Sequence, residues 1–379
     1  MQPTSASGGV QNDLFTTTSH SPSITELVGY ERAGDIVDFC FIANPYFPTP
    51  EMMQELQRQL PSLIKHYPSS CQATAARALA EMLGVDHRDL IVGNGATELI
   101  VLANDVLVDG IGVPVPTFGE YVEKLRDPAK ARLYPLRPDL DYQLDLGDYL
   151  AWGKRNSLGA LLVINPGNPT GQLHSLDEMA EFLDAARDRD LIVVDESFLD
   201  FACDRGSSVM PIADRYPNLL VIQSLSKHYG VPGLRLGFCY SRNRAMLDGL
   251  RQLLPTWNLN VMAEYFLALL PANRAAYKRS LGRVARDVAV LRKELNDIPG
   301  LFAYPTGANF VLVRIENGMT AAELQAQLLD DHLMYVRDCS NKVGMDSHHI
   351  RVASQGRAAD AGLIRALRTL FRAGPERPA

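Results

Sequence analysis

The sequence predicts an α/β protein: a three-layer, mostly parallel sheet with helices on both faces, and a smaller α+β domain beside it. Two observations carry this prediction. From residue 89 onward, short apolar runs rich in β-branched residues alternate with helical patterns, which is typical of parallel sheets flanked by helices. The chain also has 379 residues, 46% of them hydrophobic and 21% charged, and this length allows two domains with separate cores.

The elements follow from local signals along the chain. Thr49 is the expected N-cap of the first predicted helix, and Gly84 ends the second, because hydroxyl residues favour helix starts and glycines favour helix ends. Helices are predicted at residues 50–59, 71–83, 95–108 and 272–296. Strands are predicted at residues 89–92, 111–115, 160–164, 191–194, 219–223, 236–240, 310–313 and 349–352. We expect a mobile tail at 1–22, a large domain at 46–270, and a small domain formed by 23–45 with 271–379.

Composition narrows the class of protein. A net charge of −7 does not favour binding to nucleic acid or to an acidic membrane surface. Five cysteines without CxxC spacing indicate buried thiols in a reducing compartment rather than disulfides or a metal site. No apolar run approaches the ~20 residues that span a bilayer, and the first residues lack the pattern of a secretory signal. We therefore expect a cytoplasmic protein that acts on a small molecule.

Three strand ends carry residues whose side chains could take part in catalysis. Lys227 lies in SLSKHYGVPGLR after the apolar run LLVIQ, Asp195 ends the run IVVD, and Asn168 lies in NPGNPTG after ALLVI. An amine at the end of a buried strand is a candidate Schiff-base former, because burial and nearby cations lower the pKa of a lysine towards neutrality. The three strand ends together therefore predict a catalytic site.

These motifs resemble those of the class I/II aminotransferases, which are pyridoxal 5′-phosphate enzymes of fold type I. The resemblance extends from about Asn44 to Arg357. Within the family, residues 334–353 look most like threonine-phosphate decarboxylase and histidinol-phosphate aminotransferase. The resemblance implies the aminotransferase type I fold, pyridoxal 5′-phosphate as cofactor, and a homodimer with shared active sites.

The resemblance also implies roles at the cofactor. Lys227 would form the Schiff base and move a proton at the substrate Cα. Asp195 would pair with the pyridine nitrogen, Phe118 would stack on the ring, and Asn168 would donate to its phenolic oxygen. The residues that match the family's phosphate ligands are Gly95, Ala96, Thr97, Ser224, Ser226, Arg235 and, reaching the neighbouring subunit's cofactor, Tyr67.

The substrate end is less closely specified. Arg351 matches the arginine that takes the α-carboxylate as a bidentate pair, and Asn44 belongs to an Asn-Pro element near the site. Arg337 matches an arginine that binds a second anionic group, although it would also suit a surface ion pair. Phe198 replaces a tyrosine that often donates to the cofactor, which would favour a higher pKa of the Schiff base. Residues 18–24 lack the paired glycines of the branch's His-Gly-Gly-Asn phosphate clamp, so the resemblance alone does not imply a phosphorylated substrate.

The sequence thus predicts an enzyme that acts on an L-α-amino acid through an external aldimine and a Cα carbanion. Transamination is the favoured reaction, and decarboxylation or β/γ-elimination with cyclisation is the alternative, because the bond perpendicular to the ring breaks and the sequence does not fix that angle. A sensor domain of a transcription regulator would need a DNA-binding module, and no basic helix-turn-helix segment is visible. A binding protein without catalysis would not need Arg351.

Overall fold

The computed structural model of the protein describes residues 21–205 and 208–372. The predicted mobile tail at 1–22 therefore lies outside the described residues except for its last two positions. The helices are α1 Ile24–Arg32, α2 Pro50–Leu63, α3 Gln72–Leu83, α4 Gly95–Leu107, α5 Glu120–Glu123, α6 Leu146–Arg155, α7 Leu176–Ala185, α8 Leu225–His228, α9 Arg244–Arg251, α10 Val261–Leu269, α11 Arg274–Asn296, α12 Ala321–His332 and α13 Arg357–Arg372. The strands are β1 Val37–Asp38, β2 Leu90–Asn94, β3 Ile111–Val115, β4 Ala131–Pro135, β5 Ala160–Ile164, β6 Leu191–Asp195, β7 Leu219–Gln223, β8 Leu236–Tyr240, β9 Leu301–Ala303, β10 Phe310–Ile315, β11 Met334–Tyr335, β12 Arg337–Asp338 and β13 His349–Ala353.

A seven-stranded sheet forms the centre of the molecule, in the order β2-β8-β7-β6-β5-β3-β4. Strands β7, β6, β5, β3 and β4 are parallel, and β8 runs antiparallel to both of its neighbours. Successive residues of β5 belong to different cores, with Leu161 on one face and Leu162 on the other, because side chains alternate along a strand. Helices α3, α6, α7 and α10 contribute to the first core, and α4 and α9 to the second. The predicted α/β class with helices on both faces is confirmed.

The predicted elements agree with this sheet to within a few residues. Strands at 111–115, 160–164, 219–223 and 236–240 match their predicted bounds. Thr49 caps α2 by accepting from the backbone N–H of Met52, as predicted, but α2 continues to Leu63 through Pro61. The prediction ended this helix early because proline usually interrupts a helix.

A smaller antiparallel sheet, in the order β12-β13-β10-β9, packs with α11, α12 and α13 around its own core. The N-terminal segment lies against this part of the chain. Strand β1 pairs in parallel with β11, and the Tyr335 hydroxyl donates to the backbone carbonyl of Pro22 at 3.2 Å. The exact division of the chain into a large domain at 46–270 and a small domain at 23–45 with 271–379 stays a prediction. None of the helices in the described ranges combines the length and apolar character that a bilayer crossing requires.

Candidate active site

One cavity, of about 230 Å³, lies where the parallel strands of the central sheet end. Ile164 at the end of β5 is the register partner of Asp195, and Asp195 is the partner of Ile222 in β7. The carboxyl ends of these strands therefore meet at one edge of the sheet, which is where open α/β sheets bind their ligands. Lys227 and Asn168, which follow β7 and β5, line this cavity together with Asp195.

Lys227 lies in the short helix α8, directly after β7. Its backbone carbonyl accepts from the N–H of Asn44 at 2.8 Å, which ties the N-terminal segment to the lysine. Burial lowers the pKa of Lys227 to about 8, and the guanidinium groups of Arg351 and Arg235 act in the same direction. Because a neutral amine is the reactive form, this environment prepares Lys227 for nucleophilic attack near neutral pH.

Asp195 is held in one orientation by two donors. The Tyr121 hydroxyl donates to its Oδ2 at 2.9 Å, and the backbone N–H of Ser197 donates to its Oδ1 at 2.9 Å. Burial raises the pKa of Asp195, and the hydrogen bonds and Lys227 oppose that shift. The sequence interpretation missed Tyr121, although its spacing of three residues from Phe118 was a usable signal for a shared site.

Arg351 is fixed by the protein through its two Nη atoms, and its Nε is left without a partner within the described ranges. Its Nη1 donates to Asn168 Oδ1 and its Nη2 to the Cys40 carbonyl, both at 2.7 Å. Burial also lowers the pKa of this guanidinium. Because the carbonyl oxygen of Asn168 already accepts from Arg351, its amide NH₂ is the group that remains to donate to a ligand.

The N-terminus of α4 forms the wall opposite Arg351 with Arg235. Gly95 has φ of +79°, and a Cβ at this position would lie 2.6 Å from Arg235 Nη2, so only glycine lets the guanidinium come this close. Ala96, Thr97, Ser224 and Arg235 all line the cavity. A helix N-terminus with a hydroxyl and a guanidinium beside it is a binding site for phosphate.

Four predicted site residues do not line the cavity, and one of them is Gly95, at the start of α4. The Ser226 hydroxyl donates to the Leu236 carbonyl at 3.2 Å and is buried, so its side chain serves the fold. Asn44 Nδ2 donates to the His228 carbonyl at 2.9 Å, behind Lys227. Tyr67 is 79% exposed and does not line this chain's cavity, so its role at a neighbouring subunit's cofactor stays a prediction.

The far end of the cavity is built by β12 and β13. Arg337 and Arg351 are direct cross-strand partners, so both side chains leave the same face of the sheet. They are 7% and 8% exposed, and both line the cavity. The expectation of a pocket residue at Arg337 is therefore met in position, and the surface alternative is not.

Lys342 is a third basic residue at this end, and the sequence interpretation missed it. It lies in the turn between β12 and β13, is 9% exposed, and lines the same cavity. A lysine in a polar turn with Asn341 and Gly344 is ordinarily a surface residue, so the sequence contained no signal that it is buried.

The arrangement fits pyridoxal 5′-phosphate. A buried amine, an oriented carboxylate and the aromatic side chain of Phe118 surround one end of the cavity, and the helix N-terminus with Arg235 provides a cradle for phosphate. Bound there, the cofactor would supply an electron sink for a carbanion at the substrate Cα. These residues are the ones that would hold it: Lys227, Asp195, Phe118, Asn168, Ala96, Thr97, Ser224 and Arg235.

Comparison with known proteins agrees with this fit. Residues 34–361 match the family model described as "Aminotransferase class I and II". The chain is 33% identical over 342 residues to the CMP-5′-(3-aminopropyl)phosphonate synthase of Streptomyces rubellomurinus, covering 89% of this chain and 53% of that relative, so it spans about half of that protein. It is 29% identical over 368 residues to the L-serine phosphate decarboxylase of Sulfurospirillum multivorans, covering 93% of each.

Solved structures give the same result. A decarboxylase from Sulfurospirillum multivorans superposes with a TM-score of 0.83 at 29% identity, covering 93% of each chain. The histidinol-phosphate aminotransferase of Clostridium acetobutylicum superposes with a TM-score of 0.81 at 23% identity, covering 89% of this chain and all of that one.

The chain therefore belongs to the class I and II aminotransferase family. It is a pyridoxal 5′-phosphate enzyme with the fold of that family, and its relatives belong to the predicted branch of phosphate-ester decarboxylases and histidinol-phosphate aminotransferases.

Proposed function

We propose that this protein is a pyridoxal phosphate-dependent decarboxylase of an L-α-amino acid whose side chain carries a second anionic group, a phosphate ester or a phosphonate. The observation that carries the proposal is the pairing of Arg337 with Arg351 in one cavity wall. Like charges directly opposite each other on a sheet destabilise it, so a buried arginine pair is best explained by anionic ligand groups.

The two arginines would hold the two ends of the substrate. Arg351, whose guanidinium is oriented by Asn168 and the Cys40 carbonyl, takes the α-carboxylate. Arg337 takes the distal anion. Two fixed contacts prevent rotation about the bond from Cα to nitrogen, and a fixed rotation is what selects the bond that breaks.

The residues of the site account for the proton that a decarboxylation requires, and the cofactor would account for the electron pair. The bond from Cα to the carboxyl carbon would break and CO₂ would leave, with pyridoxal 5′-phosphate supplying the sink for the electron pair. Lys227 would then return a proton to Cα, which its pKa of about 8 suits near neutral pH. Asp195, positioned by Tyr121, would pair with the protonated ring nitrogen.

The relatives bear on the choice between decarboxylation and transamination. The sequence interpretation favoured transamination, with decarboxylation as the alternative. The names of the Sulfurospirillum relatives support decarboxylation, whereas the aminotransferase structure at 23% identity supports only the shared fold. Transamination stays the second candidate, because Lys227 and Asp195 would serve a proton transfer at Cα equally well.

The proposal is tested with the purified holoprotein and a panel of substrates: O-phospho-L-serine, O-phospho-L-threonine, L-serine, L-aspartate and L-glutamate. CO₂ and the product amine are quantified by mass spectrometry without any 2-oxo acid. Decarboxylation predicts equal amounts of CO₂ and the phosphorylated amine from a phosphorylated substrate. Conversion of the cofactor to its amine form with no CO₂ from any substrate would refute it.

We also propose that the enzyme acts as a homodimer. Met53 and Leu60 on α2 and Ile64 directly after it form an exposed apolar stripe. Tyr67 follows this stripe and lies tilted against Trp257, with ring centroids 4.8 Å apart. An exposed apolar surface of this kind favours a protein partner, and Tyr67 at its edge would complete the partner's phosphate site. Sedimentation equilibrium showing a monomer with full activity would contradict this.

A further inference from the structure

Lys342 is anchored at the far end of the cavity by the protein itself. Its Nζ donates to the Thr117 carbonyl at 3.1 Å, next to Phe118. Its own backbone N–H donates to the Cys339 carbonyl at 3.0 Å, which fixes the turn. One of the three ammonium N–H groups is thus used, and two are left for other partners.

The position of Lys342 is electrostatically unfavourable without a ligand. Burial, together with Arg337 and Arg351, lowers its pKa to about 8, whereas Cys339 and Glu123 oppose the shift. Within the described ranges no carboxylate lies within ion-pair distance of its Nζ. A buried ammonium beside two guanidinium groups is costly unless an anion joins them.

The charges of the cavity point to more than one anion. Of the described side chains that line it, five are basic and two, Glu120 and Asp195, are acidic. The cofactor phosphate lies by Arg235 in the proposed function, and the α-carboxylate by Arg351. Neither group accounts for a buried lysine next to Arg337.

We propose that Lys342 and Arg337 together form a site for a dianion, and that Lys342 makes the enzyme prefer a distal phosphate or phosphonate over a distal carboxylate. This inference rests on the proposed function. The planar fork of Arg337 matches two oxygens of an anion. A phosphate has a third strong acceptor oxygen and a charge near −2 at pH 7, and the two remaining N–H groups of Lys342 are placed to serve it. A carboxylate has neither the third oxygen nor the second charge.

The test compares Lys342→Met with the wild-type holoenzyme and with Lys154→Met, which removes the same charge from the surface, where Lys154 is 44% exposed. In Lys342→Met the KM for O-phospho-L-serine rises roughly tenfold to a hundredfold, the range for one charge-assisted hydrogen bond, and kcat changes less. The preference for O-phospho-L-serine over L-glutamate falls by a similar factor. Lys154→Met keeps the wild-type constants.

Lys342→Gln is the second variant, and retained visible absorbance of the holoprotein shows that each variant is folded. Unchanged KM values in both Lys342 variants would overturn the inference while leaving decarboxylation intact. If the wild type turns over no phosphorylated substrate, the proposed function fails. Calorimetric titration of the holoprotein with inorganic phosphate then tests the dianion site independently of turnover. Weaker phosphate binding in both Lys342 variants supports the dianion site, and equal binding refutes it.

Discussion

Lys227 and Lys342 lie at the two ends of one cavity, and burial is the first cause that lowers the pKa of each to about 8. Their surroundings differ. Lys227 faces Asp195, a carboxylate that belongs to the cofactor end of the site. Lys342 lies beside Arg337. Glu123 is the carboxylate that opposes the lowering of the Lys342 pKa, and its influence is weaker than those of burial, Arg337, Cys339 and Arg351.

The comparison teaches that a lowered pKa does not by itself define a role. Near the carboxyl ends of the strands, a partly neutral amine beside an oriented carboxylate suits covalent chemistry. For Lys342 burial is again the largest cause, Arg337 and Arg351 add repulsion, and an anion placed beside it would oppose both by favouring the charged form. One lysine is thus prepared to react and the other to bind.

The sharpest contrast is expected between Lys227→Ala and Lys342→Met. Lys227→Ala abolishes the visible absorbance of the bound cofactor and lowers turnover by about 10²–10⁴-fold or more, since both the covalent anchor and the proton donor are lost. Lys342→Met keeps that absorbance. Spectra of both holoproteins check this, and an unchanged spectrum in Lys227→Ala would remove the basis of the site assignment.

Arg337→Met is expected to have the next largest effect. Losing the planar cation that faces the distal anion raises the KM for a phosphorylated substrate by about 10²-fold, because one charged, two-point contact is removed. Arg314→Met is the matched control: Arg314 lies on β10 of the same sheet, separated from β12 by β13, is 37% exposed, and pairs with Glu316. Equal KM values for the two variants would place the distal anion elsewhere.

A stability difference that depends on pH is expected for Lys342→Met in phosphate-free buffer. The pKa of Lys342 is about 8 in the folded protein and near 10.5 when unfolded, so the unfolded state binds more protons between these values and stability rises with pH there. The folded wild type therefore carries the full penalty below pH 8. Lys342→Met should unfold at a higher temperature at pH 7, corresponding to about 1–3 kcal/mol, and the gap should narrow as the pH rises above 8 and close only above the unfolded pKa of 10.5. A gap that stays constant between pH 7 and pH 10 would show that packing rather than charge is responsible.

The smallest effect is expected for Phe198→Tyr, which returns the hydroxyl found in many family members. Phe198 lines the cavity and packs edge-on against Phe310 at 5.2 Å. A phenol donor near the cofactor favours the deprotonated form of its chromophore, so the pH at which the visible absorbance titrates should fall by less than about one unit. Phe41→Tyr, at the 39% exposed Phe41 of the same cavity, should leave that titration unchanged.

The sequence was most informative where a functional residue lies at the end of a strand or shortly after it. Asn168, Asp195 and Lys227 each lie at or just after the end of an apolar run, and parallel pairing brings such ends together. Residues placed by long-range packing were not accessible in this way. Tyr121 reaches Asp195 through the fold of α5, and Lys342 is buried only because its turn packs on the Thr117 segment.

The same distinction holds for the fold. Six strands of the central sheet were predicted closely because buried strands are continuous apolar runs, whereas the largely exposed edge strand β4 was not predicted. Helix α12 was not predicted, although Thr320 and Glu323 form a capping box at its start, a signal that the sequence does contain. The cross-strand contact of Arg337 with Arg351 depends on the register of an antiparallel pair, and no local pattern specifies that register.

The most direct test of the account is a single-turnover reaction of the holoprotein with one equivalent of O-phospho-L-serine carrying ¹³C in the carboxyl group, without any 2-oxo acid. The account predicts one equivalent of ¹³CO₂ and a cofactor absorbance that returns to its starting spectrum. Full conversion of the cofactor to its amine form, with the ¹³C retained in a 2-oxo acid, would contradict it.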